Sequence, residues 1–174
     1  DVLKKFNVSS WNFVFADIAG NIGLVTTGNL IKNKTPLHLG ITEVPHSEPI
    51  KPEIVAKSLQ PELQNPFRGF IVSANNRHWP AGYSVQSGTS VRAGFRAYRI
   101  EKLLQQLPKH DLETLKKIQC DVYAVDAEFI LPYLISTIDS DPNSKTVLRE
   151  VDLRALNILK SWDYLADKQC KACG

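Results

Sequence analysis

Two adjacent carboxamides, Asn75 and Asn76, are the side chains whose type and position in this sequence best suit chemistry. They end the segment at residues 69–76, which reads GFIVSANN, and Ser73 and Ala74 leave little bulk beside them. The NH2 group of a carboxamide is a neutral donor, of the kind that stabilises an oxyanion formed during acyl transfer. The segment therefore indicates a candidate oxyanion donor that a substrate could approach.

An ordinary turn is the alternative interpretation of the same pair. Asn tolerates the left-handed backbone conformation and bonds to its own backbone, so two Asn residues can simply turn the chain where a strand ends. The residue pattern alone leaves both interpretations open.

A buried strand is the element predicted to position this pair. Phe70, Ile71 and Val72 favour β-structure and show no polar alternation, as expected for a strand that is covered on both faces. The run ends in the small residues and carboxamides described above, so the candidate chemistry follows directly from the end of the strand.

A β-hairpin is predicted near the start of the chain. Trp11–Ala16 alternates large apolar side chains with others, residues 17–21 (DIAGN) supply Asp, Gly and Asn for a turn, and Ile22–Thr27 resumes as a strand. Residues 29–66 then hold most of the prolines without a sustained period, and this predicts a long connection.

A helix with an arginine stripe follows the carboxamides. Its apolar face comprises residues recurring at three- and four-residue steps, namely Ala93, Ala97, Ile100, Leu104 and Leu107. On another side lie Arg92, Arg96 and Arg99. Three guanidinium groups in a row could bind a carboxylate or pair with acids elsewhere, and a solvated basic face is the plainer alternative.

Further helices are predicted in the last third of the sequence. Asp111 can cap one of them, and Pro132 should break or kink it. Its apolar face is predicted to comprise Leu112, Leu115, Ile118, Val122, Val125 and Phe129. Residues 139–144 (DSDPNS) are predicted to form a loop before a last amphipathic helix, whose apolar residues are Leu148, Val151, Ala155, Ile158 and Trp162.

The order of these elements predicts the fold class. Strands at about residues 10–90 precede helices at about 91–165, which favours an α+β fold with helices on one face of a mainly antiparallel sheet. The 174 residues suffice for a single domain with a real core. A net charge of +3 without a basic block argues against nucleic acid, and no apolar run is long enough to span a membrane.

Two features of the composition bear on processing and cofactors. The sequence has no Met and begins with DVLKKF, which reads as the interior of a helical turn, so we expect a processed chain or an internal piece of a larger protein. Its cysteines are Cys120, Cys170 and Cys173. An odd thiol disfavours a disulfide scaffold, and the C-x-x-C spacing of Cys170 and Cys173 is interpreted as incidental.

The histidines are scattered without metal-ligand spacing, so we predict no metal and no cofactor.

Several blocks together carry a family resemblance. The sequence contains NFVFADIAGNIGLVTTG, then NPFRGFIVSANNRHWPAGY, GFRAYRIEKLL, IQCDVYAVDAEFILP and LNILKSWD. In this order they resemble the penicillin acylase family of N-terminal-nucleophile hydrolases over nearly the whole chain. The resemblance implies part of that family's αββα sandwich, with residues 1–174 as one internal fragment of the nucleophile-bearing β-subunit.

The resemblance also implies the site. Asn75 matches the family's side-chain oxyanion donor, and Arg96 matches its active-site arginine, whereas Asn76 and Arg99 match no residue with an assigned role. The family's nucleophile is a serine exposed by autocatalytic cleavage, whose own α-amine acts as the base, and the match places it upstream of Asp1. Some members bind calcium, but no acid stands at the matching place near Gln86, so no metal is expected.

The resemblance implies a function for the parent protein, and two alternative functions stay open. The intact parent is expected to cleave an N-acyl amide such as a penicillin, and the isolated chain is expected to be inactive and to self-associate. Its other partners would be the remaining α- and β-subunit segments, and the resemblance alone suggests a periplasmic or secreted location. An acyl-homoserine lactone acylase and a non-catalytic binding or structural relative stay open. A residue without a hydroxyl or thiol at the parent's cleavage junction would favour the non-catalytic alternative.

Overall fold

The computed structural model describes residues 2–32, 53–79, 83 and 93–173. Strands come first and helices follow, which confirms the predicted α+β class. The strands of this described part are β1 (Trp11–Ala16), β2 (Ile22–Thr27), β3 (Ile31–Lys32), β4 (Glu53–Ile54) and β5 (Glu62–Gln64). Its α-helices are α1 (Phe95–Leu104), α2 (Leu112–Gln119), α3 (Val125–Ser140), α4 (Ser144–Val147) and α5 (Glu150–Lys160). Within the described ranges, no helix has the length and apolar character needed to cross a membrane.

The chain divides into two compact units, residues 1–97 and 98–174. The boundary falls inside α1, so that Asn75 and Arg96 belong to the first unit and Arg99 belongs to the second. The strands lie in the first unit, and α2 to α5 lie in the second.

The hairpin forms as the sequence predicts, with β1 and β2 antiparallel and paired along their full lengths. In the turn between them, the Asp17 carboxylate accepts hydrogen bonds of 2.9 Å from the backbone N–H groups of Ala19 and Asn21. The pKa of Asp17 is lowered, chiefly by the bond from the Asn21 side chain. Gly20 has φ +85°, where a residue with a Cβ would be strained. Local turn chemistry therefore accounts for the hairpin.

β5 extends this sheet by pairing antiparallel with the second edge of β2, which gives the order β1-β2-β5. In the central strand β2, Leu24 and Thr27 are almost completely buried. The Thr27 hydroxyl donates to the Leu3 carbonyl, and Gln60 Nε2 donates to the Gly28 carbonyl at 3.0 Å. These bonds hold the start of the chain and the approach to β5 against the central strand.

The predicted unbroken connection over residues 29–66 is wrong in its described part. Three short strands, β3, β4 and β5, lie in residues 29–32 and 53–66, and β3 pairs with β4. Strands of two or three residues are too short to show an alternation, so a periodicity argument cannot find them. The remainder of the connection, residues 33–52, lies outside the described residues.

The predicted strand at residues 70–72 is also wrong, since this run pairs with none of the described strands. Val72 and Ala74 are nevertheless buried, as an apolar run before the site should be. Side chains bind the backbone of Ala74 in place of a neighbouring strand. Its N–H donates to Asn76 Oδ1 at 2.9 Å, and its carbonyl accepts from Arg96 Nη2 at 2.9 Å. Of the three residues predicted to be buried, only Val72 is buried, while Phe70 and Ile71 are partly exposed, and the predicted backbone pairing is absent from the described strands.

Asp111 caps α2 as predicted, because its Oδ1 accepts a 2.8 Å bond from the Thr114 N–H. The apolar face expected to continue to Phe129 is divided between α2 and α3, with residues 120–124 between them. The predicted positions thus do not form one element, because Leu112, Leu115 and Ile118 lie on α2, Val122 lies between the helices, and Val125 and Phe129 lie on α3.

Pro132 does not break its helix, since it lies inside α3, which continues to Ser140, and the alternative of a kink stays a prediction. A proline removes one helical hydrogen bond, but Pro132 is exposed, so water can reach this side of the helix. The predicted loop at residues 139–144 is correspondingly shorter and comprises residues 141–143 between α3 and α4.

Cys170 and Cys173 form a disulfide, which corrects the interpretation of their spacing as incidental. The bridge lies at a groove lined also by Trp162 and Leu165. Cys120 is free and exposed, so the odd thiol expected from the sequence is present.

The exposed strand β1 leads to a prediction about self-association. β1 is an edge strand of the described sheet, and Trp11, Phe13 and Phe15 on it are 59%, 37% and 43% exposed. An unpaired edge with apolar side chains templates pairing with another chain. We therefore expect the apparent mass of the 174-residue chain, measured by light scattering, to rise with concentration.

A matched pair of variants tests whether β1 is the contact. Val14→Lys places a charge on β1 and should reduce the association, because edge-strand charges oppose pairing. Val147→Lys changes a valine in α4 that is more exposed than Val14, and should leave the association unchanged. A monodisperse monomer of the unmodified chain at high concentration would contradict the prediction.

Candidate functional site

Asn75 lies at a tight turn with φ +59°, in the left-handed region that Asn adopts more readily than most residues. Its side chain is exposed, whereas the preceding Ala74 is buried. The turn interpretation is therefore confirmed for the backbone. The same turn presents the carboxamide to solvent, where a substrate can reach it, so the two interpretations are compatible.

Arg96, in the first turn of α1, contacts this turn directly within the first unit. Its Nη2 donates to the Ala74 carbonyl at 2.9 Å and to Asn75 Oδ1 at 2.5 Å. The two predicted site residues, which are separated by 21 positions in the sequence, are thus joined by a hydrogen bond.

The chemistry of arginine fixes the orientation of the Asn75 carboxamide. A guanidinium group has donors and no acceptor, so the atom of Asn75 that faces Arg96 must be its oxygen, Oδ1. The NH2 group consequently occupies the other end of the carboxamide. A charged donor on Oδ1 also polarises the amide and makes its N–H bonds stronger donors. The pair can therefore offer a fixed N–H donor to a developing negative charge.

Asn76 has a structural part in the same turn. Its Oδ1 accepts the 2.9 Å bond from the Ala74 N–H, and its Nδ2 donates to the Arg77 carbonyl at 3.4 Å. The two neighbouring carboxamides thus differ, because Asn76 binds the backbone while Asn75 is held by a side chain.

Arg99 belongs to a separate ion pair in the second unit. Its Nε and Nη2 donate to the two Asp121 carboxylate oxygens at 2.8 and 2.7 Å, and the guanidinium lies 4.3 Å from the centre of the Tyr123 ring. The hydrogen bond from Arg99 lowers the pKa of Asp121, and burial opposes that shift. Both arginines of the stripe therefore bind groups of the protein, although Arg96 is exposed and Arg99 is only partly so. Arg92 lies outside the described residues.

A serine–histidine contact beside Asn75 was not found from the sequence. Ser73 Oγ and His78 Nε2 are 3.2 Å apart. Burial, and secondarily the positive charge of Arg68, lower the pKa of His78. A spacing of five residues in a turn matches no recognised nucleophile signature, and the only available signal was the presence of both residue types next to the carboxamides.

The groups around Asn75 do not resemble a metal site. They are an amide and a guanidinium, whereas calcium binds oxygen ligands, chiefly carboxylates. No group of three His, Cys, Asp or Glu residues that could hold a metal occurs in the part of the chain that the structure describes. Gln86, where the resemblance predicts no acid, lies outside the described residues, so that expectation stays a prediction.

Comparison with known proteins gives the class of this chain. The family model described as penicillin amidase matches residues 1–173. The chain therefore belongs to the penicillin amidase family, which is a family of amide hydrolases, and the predicted resemblance is confirmed. None of the curated proteins compared with it gives a significant match.

Proposed function

We propose that this chain supplies an oxyanion donor, Asn75, and an active-site arginine, Arg96, to an enzyme that hydrolyses N-acyl amides such as penicillins. The observation that carries the proposal is the 2.5 Å bond from Arg96 Nη2 to Asn75 Oδ1. Membership of the penicillin amidase family supports amide hydrolysis, and the resemblance implies both residues independently of their contact.

The nucleophile in this proposal is the hydroxyl of an N-terminal serine in another segment of the parent protein. The α-amine of that serine takes the hydroxyl proton while the oxygen attacks the amide carbon. The former carbonyl oxygen becomes an oxyanion and accepts a hydrogen bond from Asn75 Nδ2. The leaving amine then takes the proton, and an acyl ester remains on the serine. Water then attacks this ester while the α-amine of the serine takes its proton. This step yields the carboxylic acid and restores the serine.

Arg96 acts through Asn75 in this scheme. It donates to Oδ1 and so prevents the carboxamide from turning its oxygen toward the oxyanion, which would be repulsive. Its second bond, to the Ala74 carbonyl, holds the backbone from which the Asn75 side chain projects. The donor is thus oriented before the charge develops, which is what gives such groups their effect on the rate.

This division of roles predicts that the 174-residue chain alone does not hydrolyse acyl amides. In the proposed mechanism, Asn75 can stabilise an oxyanion, but the serine that attacks the acyl carbon of an amide, from which a poorly leaving amine must be expelled, is supplied by another segment. The measurement is amine release from a penicillin and from an N-acyl-homoserine lactone. Turnover above the buffer rate that survives repurification of the chain would contradict the proposed division of roles.

A further inference from the structure

The contact between Ser73 and His78 lies in the first unit and has no part in the proposed amide hydrolysis. Ser73 is exposed between two buried residues, Val72 and Ala74. The neighbouring backbone is therefore anchored while the hydroxyl faces solvent. The separation of 3.2 Å from Ser73 Oγ to His78 Nε2 is within the range over which a base takes a proton from a nucleophile.

The surroundings of His78 keep its ring in the form that can act as a base. The ring is half-buried, and both burial and the nearby charge of Arg68 lower its pKa. At neutral pH the imidazole is thus mainly uncharged. Nε2 can then accept the bond from the Ser73 hydroxyl, with the ring proton on Nδ1.

A donor for the acyl oxygen stands close by in the sequence. Asn75 follows Ser73 by two residues, and both side chains are exposed while Ala74 between them is buried. Arg96 binds Asn75 Oδ1, so the carboxamide offers its NH2 group to other acceptors. A nucleophile, a base and an oxyanion donor therefore occur within residues 73–78.

We propose that Ser73 and His78 form a second nucleophile–base pair, which reacts with activated acyl esters such as aryl esters. The Ser73 oxygen bonds to the acyl carbon, and its proton passes to His78. The bond to the aryl oxygen breaks, so the phenolate leaves with the electron pair and His78 releases its proton to solvent. Water then attacks the acyl-serine with His78 as the base, which yields the carboxylic acid and restores Ser73.

The proposed substrates differ from those of the amide hydrolase for a chemical reason. A phenolate is a stable anion that departs without protonation, whereas an amine must be protonated as it leaves. A two-residue pair can therefore acylate from an aryl ester while the chain stays inert toward amides. The proposal does not depend on the N-terminal serine, so its failure and the failure of the proposed function are distinguishable.

The test uses the full 174-residue chain with 4-nitrophenyl acetate. We expect nitrophenolate release together with one acetyl group on Ser73, located by peptide mass spectrometry. Ser73→Ala should abolish this adduct. His78→Gln keeps a hydrogen-bond acceptor but not a base, and should slow acylation about 10²-fold or more. Ser136→Ala is the matched control, because the Ser136 hydroxyl only donates to the Tyr133 carbonyl within α3, and it should react as the unmodified chain does.

Three results with the unmodified chain, Ser73→Ala and His78→Gln would overturn the proposal. They are acetylation at other residues but not at Ser73, a release rate for Ser73→Ala equal to that of the unmodified chain, and a normal acylation rate for His78→Gln. Circular dichroism monitors the folding of each variant. Ser73→Cys provides a second check should Ser73→Ala fail to fold, because a thiol beside His78 should still be acetylated at that position, and an unreactive folded Cys variant would refute the pair.

Discussion

Replacing Asn75 with Ala in the intact hydrolase is expected to lower kcat by about 10² to 10³, as does the removal of one oxyanion donor in other hydrolases. In the proposed mechanism, the Asn75 N–H meets a negative charge only in the transition state and the tetrahedral intermediate. Substrate affinity should consequently change by no more than a few-fold. Steady-state kinetics on an N-acyl amide, with active sites counted by burst titration, measure both quantities.

The left-handed backbone of Asn75 requires controls, because Ala at φ +59° also costs about 1 kcal/mol of stability. Asn75→Gly removes the carboxamide and adopts this backbone without strain. Asn75→Asp keeps the turn preference and the shape, yet its carboxylate offers acceptors where the oxyanion needs a donor. If the donor matters, all three variants lose most of kcat, and Asp is at least as damaging as Ala.

A different set of results is expected if Asn75 has no part in catalysis. If Asn75 serves only to turn the chain, Gly and Asp should retain kcat per folded molecule, and Ala should mainly lower the free energy of unfolding. Near wild-type kcat in a well-folded Asn75→Asp enzyme would show that other groups hold the oxyanion. Thermal unfolding of each variant separates loss of folded protein from loss of catalysis.

Replacing Arg96 with Leu is expected to lower kcat of the intact enzyme by about 10², since a donor displaced by about 1 Å loses most of its effect. Without the guanidinium, nothing opposes rotation of the Asn75 carboxamide, and the Ala74 carbonyl loses its charged partner. Arg96→Lys keeps the charge but cannot donate in the same planar geometry, so an intermediate loss is expected. The measurement is the ratio of kcat to that of wild type at saturating substrate.

Arg99→Leu is the matched control for this prediction, because it removes a guanidinium three residues later on α1. The bidentate bond to Asp121 is lost, and Arg99 and Asp121 are only 21% and 20% exposed, so stability should fall by about 2 kcal/mol. Activity per folded molecule should remain. An equal loss of kcat in both variants would mean that Arg96 acts through the helix in general and not through Asn75.

The sequence predicted the elements whose causes are local. The hairpin follows from alternation in β1 and from Asp17 and Gly20 in its turn. The cap at Asp111 follows from the preference of a carboxylate for free N–H groups at a helix start. In each case the residues that decide the conformation are within a few positions of one another, and sequence reasoning can evaluate them.

The failures concern partners that are distant in the sequence. Residues 70–72 have the composition of a strand, but the Ala74 carbonyl is bound by Arg96, 22 positions away, and not by a strand backbone. Pro132 stays within α3, where it is exposed, so water can reach the side of the helix on which a hydrogen bond is lost. Neither outcome can be read from a local pattern.

The candidate site was likewise predicted only in part, because its contacts join residues that no local pattern relates. Residue types singled out Asn75 as a possible donor, and the family resemblance was needed to pair it with Arg96. The Ser73–His78 contact depends on the path of a single bend, in which Asn75 has φ +59°. No periodicity or motif encodes such a path, so only the structure places the two side chains together.

The two connections of the central strand β2, to β1 and to β5, differ greatly in length, and this affects how readily each connection can be altered. β1 joins β2 through a turn of five residues, whereas the chain from β2 to β5 runs over residues 28–61, including β3 and β4. For a flexible chain, closing the longer loop costs about 2 kcal/mol more than closing the short one, and doubling it again would add only about 0.6 kcal/mol. The free energy of closing that connection therefore constrains its length very little, and evolution can lengthen or replace it while the three-stranded sheet persists.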